Sequence, residues 1–385
     1  MRSWITIGAI SIVVLMMILA VLAMIWPPPV LSHETLTTTV LFDREIVQIL
    51  NRHCVMCHFE KGSSFPLETY EQTWLRSRQI RASVIARHMP PWFAVSGYGQ
   101  FANDNSLTLR ETQFLVSWVE GLGPRNAGTV FTNIVDSGAR KKDVRAETNF
   151  GEWKLGTPDL RLALPASTIE ARQPDRVIRV TIATGQTAER RLRAIEYMPG
   201  DRRVTRAVLF SVQETGQWIG TWTPWYGFSS LPGGAIYRLP AGAHIAADTY
   251  YRGTSERVVD QGTLGLFFSD SARAATISDV TLTAKPSGAQ KLRTELRLDA
   301  DTDVLALRPE IVAGLKSLEV SSRRPDGGTD VLLFAKGFSV DWPMPFIFKD
   351  PVTLRRGAVL SVTVTMTPST PVPPLFRLTM NRFTH

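Results

Sequence analysis

Cys54-Val55-Met56-Cys57-His58 holds the only two cysteines of a 385-residue chain. Two thiols separated by two residues, with a histidine directly after the second, form the pattern by which a c-type haem is attached. The thiols add across the haem vinyl groups, and the adjacent imidazole then lies under the ring, where it can bind iron. Covalent attachment keeps a haem in place when the surrounding fold is small and one edge is open, which suits electron transfer. Other readings of the five residues exist. A disulfide within Cys-x-x-Cys leaves His58 unexplained, and a zinc site needs two further ligands where no second Cys or His pair stands. The pattern predicts one covalent haem c on Cys54 and Cys57, with His58 as an axial ligand.

Working outward, the neighbouring periodicity is helical. Ile46, Ile49 and Leu50 share one face just ahead of the motif. A second helix is predicted over 69–87, with Trp74, Ile80, Val84 and Ile85 apolar, and a third over 109–122. Ser106 or Thr108 can cap the third, Phe114, Leu115, Trp118 and Val119 line one face, and Gly121 or Gly123 closes it. Between the last two helices runs Arg87-His88-Met89-Pro90-Pro91-Trp92. The prolines restrict the backbone and hold the preceding side chain in place, so Met89 is the expected second axial ligand, with His88 as the neighbour that could replace it. His58 is expected to donate its other ring nitrogen to a carbonyl near Phe65-Pro66. Trp92, Arg81 and Arg87 are candidates to contact the haem propionates, although the arginines fit a solvated helix face equally well. His53 is expected to face solvent, and His33, His244 and His385 have no partner spacing. A helix, a haem loop and further helices around a Met-Pro loop predict an all-α class I cytochrome c domain over residues 30–126.

The formal charge is +8, unevenly spread. Residues 1–126 carry 10 Lys+Arg against 9 Asp+Glu, leaving 33 against 26 for the rest. The excess suits solubility, an acidic partner or an anionic lipid surface. No basic helix or finger points to nucleic acid. Residues 4–26 are apolar enough to span a bilayer, with Arg2 ahead of them and no basic residue behind them before Arg44. This predicts a transmembrane helix over residues 1–29, with the N-terminus cytoplasmic and the body in the periplasm of a bacterial inner membrane. A cleaved signal peptide at Val21-Leu22-Ala23 is the competing reading.

Residues 127–150 read as a linker with a basic run, Arg140-Lys141-Lys142. Beyond it the texture turns to short alternating β-branched runs at 177–184, 207–212, 263–268, 276–283, 316–321, 331–335 and 359–366, separated by Gly, Pro and Asp turns. These predict an all-β module of two jelly-roll-like sandwiches, over 151–285 and 286–385, with the break near Pro286-Ser287-Gly288.

The motif Cys54–His58, Met89-Pro90-Pro91-Trp92, Leu107-Thr108-Leu109 and Trp118-Val119-Glu120-Gly121 resemble the cytochrome c domains that precede copper type II, ascorbate-dependent monooxygenase-like modules in bacteria. Trp153-Lys154-Leu155-Gly156-Thr157-Pro158-Asp159, Ile195-Glu196, Pro199-Gly200-Asp201-Arg202-Arg203-Val204 and Leu239-Pro240-Ala241-Gly242 resemble the first lobe of a peptidylglycine-hydroxylating-monooxygenase-like module. Pro325-Asp326-Gly327 and Phe338-Ser339-Val340-Asp341-Trp342 resemble the second. Such modules bind two coppers through histidines and a methionine, and this chain departs from them at those ligands. Arg206, Tyr250, Glu310 and Val312 stand at or beside the expected imidazoles, and only His244 and His385 remain in residues 127–385. The resemblance therefore implies a degenerate, copper-free scaffold with no monooxygenase activity. It implies a membrane-anchored monohaem c-type cytochrome, passing electrons to redox protein partners in a respiratory or photosynthetic complex, with no nucleic acid and no small-molecule substrate. A structural subunit with a relay haem, and a haem-fed copper monooxygenase, are the alternative expectations.

Overall fold

The structure, a computed structural model, describes residues 38–62, 64–126, 150–230, 234–270 and 275–384. Among them four α-helices and one π-helical turn stand against nineteen strands. The π-turn Phe42–Ile46 leads into α1 (Val47–His53), followed by α2 (Tyr70–Leu75), α3 (Ser77–Ile85) and α4 (Leu109–Glu120). The predicted helix over 69–87 is broken at Arg76, where φ −106° and ψ 5° leave helical space. Capping boxes start two helices: Thr69 with Gln72 opens α2, and Thr108 with Glu111 opens α4. Phe42, Ile46, Leu50, Leu115 and Trp118 form a small closed core. Trp118 meets Phe42 at 6.0 Å and Trp74 edge-on at 5.8 Å, and its indole N–H donates to the Pro124 carbonyl at 3.1 Å.

The strands follow in chain order as β1 (Leu160–Ala163), β2 (Ser167–Ile169), β3 (Arg176–Ala183), β4 (Arg190–Met198), β5 (Thr205–Val212), β6 (Trp218–Trp222), β7 (Phe228–Ser230), β8 (Tyr237–Leu239), β9 (His244–Tyr251), β10 (Val258–Asp260) and β11 (Thr263–Phe268). Next come β12 (Ser278–Gly288), β13 (Lys291–Arg297), β14 (Thr302–Pro309), β15 (Leu315–Arg323), β16 (Thr329–Lys336), β17 (Phe346–Leu354), β18 (Val359–Met366) and β19 (Phe376–Thr384). The first sandwich sets the order β1-β11-β4-β7, with β8 beside β4, against β3-β9-β5-β6. Leu192, Ile195, Tyr197, Val208, Phe210 and Trp222 are buried in its core. The second sandwich is an eight-strand run ordered β16-β15-β18-β13-β12-β19-β14-β17, antiparallel throughout. β12 pairs β19 along its first part and β13 past Lys285, so it continues through Pro286 and the second sandwich begins near Ser278.

The expectation of a separate all-α cytochrome domain is overturned here. Residues 93–102, which follow the Met-Pro-Pro loop, belong to the β architecture. Ala94 bridges Ala335 of β16 and Phe101 bridges Phe348 of β17. The Val95 N–H donates to the Phe334 carbonyl at 2.8 Å, and the Ala102 N–H to the Ile347 carbonyl at 2.7 Å. β16 and β17 are the two outer strands of the eight-strand run. A flat run of eight strands would part its edges by about 33 Å, whereas the seven residue steps from Ala94 to Phe101 reach about 25 Å at most. The sheet therefore curls until one short strap closes both edges, which also covers their unpaired backbone groups. Gly99 lies in this strap at φ +80°, and a Cβ there would sit 2.5 Å from the Leu332 carbonyl oxygen. Trp92, Phe93 and Phe101 accordingly join the β core and not the helical one. The chain is a mainly β molecule with a helical layer strapped to it.

The expectation of an inner-membrane span is likewise set aside. Among the described residues no helix is long and apolar enough to cross a membrane, and residues 4–26, on which that expectation and the orientation rested, lie outside the described residues. So do His33, the basic run at 140–142 and His385.

Candidate functional site

Cys54 caps the C-terminus of α1, its N–H still donating to the Leu50 carbonyl at 2.9 Å. The chain then tightens, with the N–H groups of Cys57 and His58 both donating to the Cys54 carbonyl at 3.0 Å. This turn draws Cys54, Cys57 and His58 onto one wall of a cavity of about 340 Å³. His58 Nδ1 donates to the Phe65 carbonyl at 2.9 Å, where the sequence placed it. A carbonyl only accepts, so the proton sits on Nδ1 and Nε2 keeps its lone pair. Burial holds the imidazole below its ordinary pKa, which favours this neutral form. Burial also pushes the thiols up, Cys54 to about 12 and Cys57 to about 11. Arg202 and Arg206 partly offset the rise at Cys57. Met89, Pro90 and Pro91 line the same cavity.

His53 does not face solvent. Its side chain is 7% exposed, with Nε2 3.3 Å from Glu111 and Nδ1 3.4 Å from Asn105, and the ring lines the cavity. Glu111 thus serves twice, capping α4 and fixing His53 and Arg52. Its carboxyl lies below the usual range because the hydrogen bonds from Thr108 and the nearby His53 and Arg52 outweigh its burial.

The opposite wall comes from the sandwiches. Arg202 and Arg206 stand at the entry to β5, Trp225 in the turn after β6, Arg252 after β9, and Asp341 with Trp342 between β16 and β17. Arg206 ties the two sandwiches together, with Nη1 3.0 Å from Asp341 and Nη2 3.3 Å from Asp175. Its guanidinium lies over Trp342, whose ring meets Trp225 at 5.3 Å.

The side chains expected at the propionates are elsewhere. Arg81 pairs with Glu120 through Nε at 2.9 Å, and neither it nor exposed Arg87 lines the cavity. Trp92 is buried between Phe101 and Phe346. The arginines that do line the cavity lie more than 140 residues beyond the motif. In the sequence Arg202 stands within Pro199–Val204 and Arg206 at or beside an expected imidazole, and neither position marks a cavity wall.

Among the described residues no three His, Cys, Asp or Glu side chains converge as a metal centre. The expected iron ligands His58 and Met89 thus belong to no side-chain metal cluster among the described residues. A haem, which brings its own macrocycle, would ask of the chain only thiols and donors for its iron. The cavity fits that demand: its size lies in the ~300–1,000 Å³ range of cofactor pockets, and it offers two thiols, an imidazole Nε2, a thioether and cationic groups together.

No protein-family model matches the chain, and no curated relative does. Among solved structures, the major capsid protein P2 of bacteriophage PM2 is similar over 57% of this chain and 97% of its own, at 8% identity and a TM-score of 0.28. A triple jelly-roll protein of an archaeal virus covers 56% and 58%, at 7% identity and 0.20. The CUB1-EGF-CUB2 region of human MASP-1/3 covers 56% and 99%, at 10% identity and 0.15. Likenesses this weak bear on neither fold nor activity.

Proposed function

We propose that the chain is a one-electron carrier holding a single covalent c-type haem in the cavity between its helical layer and its sandwiches. The supporting observation is convergence: the lone Cys-x-x-Cys-His, Met89 and a cationic β wall line one cavity. When bound, the haem supplies an iron that cycles between ferrous and ferric. Cys54 and Cys57 would carry it through thioether bonds. His58, oriented by the Phe65 carbonyl, would offer Nε2 to its iron. Met89 would offer a soft sulfur, which favours the reduced state, and Pro90-Pro91 limits the freedom of that loop. Trp225 and Trp342 would give the far wall an apolar face against the ring. Met89 is 40% exposed, which leaves an open side through which an electron can pass to a protein partner. The sandwiches serve as scaffold and second wall.

The test is direct. Denatured protein should keep a peroxidase-active stain on a gel, and Cys57→Ser should lose most of it. The ferric protein should show the weak near-infrared band of sulfur ligation, removed by Met89→Ala and kept by His88→Ala. An unstained wild-type band would refute the reading, and loss of the near-infrared band in His88→Ala would move the ligand.

A further inference from the structure

Arg202 is anomalous among the cations of the β wall. Its Nε is buried with no hydrogen-bond partner. Its Nη2 donates to the Pro224 carbonyl at 3.0 Å, and its guanidinium is pressed between aromatic faces, 4.1 Å from the Phe150 centroid and 5.3 Å from that of Trp222. Among the described residues no carboxylate lies within ion-pair distance of it. The nearest acid in sequence, Asp201, is taken by Arg203 through Nε at 2.9 Å, while Asp175 and Asp341 are taken by Arg206. Burial drags the guanidinium down to about 10. A buried charge without a counter-ion is costly, and a guanidinium fork is shaped to receive a carboxylate. Arg202 lines the same cavity as Cys57 and His58.

We propose that Arg202 is the counter-ion for a carboxylate of the bound haem, so that the first sandwich positions the cofactor and holds its potential up. This rests on the haem reading above and assigns a role to the β module, which that reading leaves as scaffold. Arg206 is excluded from the role by its two aspartates. Removing the Arg202 charge leaves the haem carboxylate uncompensated, and the added negative charge favours the ferric state.

The test is potentiometry on the full chain. Arg202→Gln should keep its covalent stain and shift the midpoint potential downward. Arg202→Lys should restore most of the shift, because the charge returns without the fork. Arg81→Gln, which breaks only the exposed pair with Glu120, should leave the potential alone. In the wild type the potential should stay flat with pH across the neutral range, since a paired carboxylate remains ionised there. This readout decides the matter even if Arg202→Gln fails to accumulate. A neutral-range slope in the wild type, or a stained Arg202→Gln protein with wild-type potential, overturns the role of Arg202 alone. A wild-type chain without covalent haem overturns the electron-carrier reading as well.

Discussion

The helical layer and the β module solve the same problem, burying an apolar interior, by different means. The helical layer has a small core centred on Trp118, Phe42 and Leu50, and its ends are held by polar caps at Thr69 and Thr108. The β module has one apolar core running from Tyr197 and Trp222 through to Phe346 and Leu378. The two sandwiches are also joined by a polar link: Asp279 accepts from the Trp218 N–H at 2.7 Å and from Asn381, and Asn381 accepts from the Tyr237 hydroxyl at 3.2 Å. The lesson is that the smaller core does not stand alone. The strap 93–102 makes it an appendage of the larger one, and the cavity exists only where the two meet.

The sharpest way to break this comparison is to hollow out the smaller core. Trp118→Ala should cost about 3–5 kcal/mol, as large-to-small aromatic deletions in cores do. Because the layers are strapped together, the lost stability should appear in a single transition seen alike by far-ultraviolet and aromatic signals. A separate early transition, with the β signal unmoved, would show the helical layer to be an independent domain.

A second measurement sharpens the other side. Burial raises the Asp279 carboxyl above its ordinary value of 3.8. A raised acid adds stability that is fully present below its unfolded value and is lost as pH rises through the folded one. The midpoint of denaturation should therefore fall over that acidic window, and Asp279→Asn should flatten the fall. The same substitution sets an amide donor against the donors from Trp218 and Asn381, so it should also cost about 1–3 kcal/mol at neutral pH. A wild-type midpoint without that slope would count against Asp279 as a stressed link.

The smallest effect concerns a cap. Thr108→Ala removes the side-chain acceptor for the Glu111 N–H and should cost about 1 kcal/mol. It should also loosen Glu111 from His53, and so reach the cavity wall from the far end of α4. A chemical-denaturation series comparing it with Thr112→Ala, outside the capping box, checks both size and origin.

Much of this was legible in the chain. The cysteine motif, the histidine acceptor near Phe65, the Thr108 cap and the strand texture are local patterns, set by residues within a few positions of one another. What escaped reading is non-local. Trp92 looks like part of a ligand loop because Met89-Pro90-Pro91 precedes it, yet its burial is decided by Phe346, over 250 residues away. Arg81 and Arg87 flank the motif in sequence but not in space, whereas Arg202 arrives through the sandwich topology. His53 turns inward because Glu111 is there to receive it. The break at Arg76, within a continuous helical pattern, has no evident sequence signal.

The strap also orders events in time. Asn103 donates to the Pro345 carbonyl at 2.8 Å across 242 positions, so closing that loop costs about 5 kcal/mol of chain entropy. A chain emerging N-terminus first presents Cys54, Cys57 and His58 long before β16 and β17 exist. Long-range pairings of this kind form late and slowly. The cysteines thus pass through a period when the β wall has not yet arrived and their thiols stand open to whatever modifies them. The finished molecule closes the β wall over those thiols.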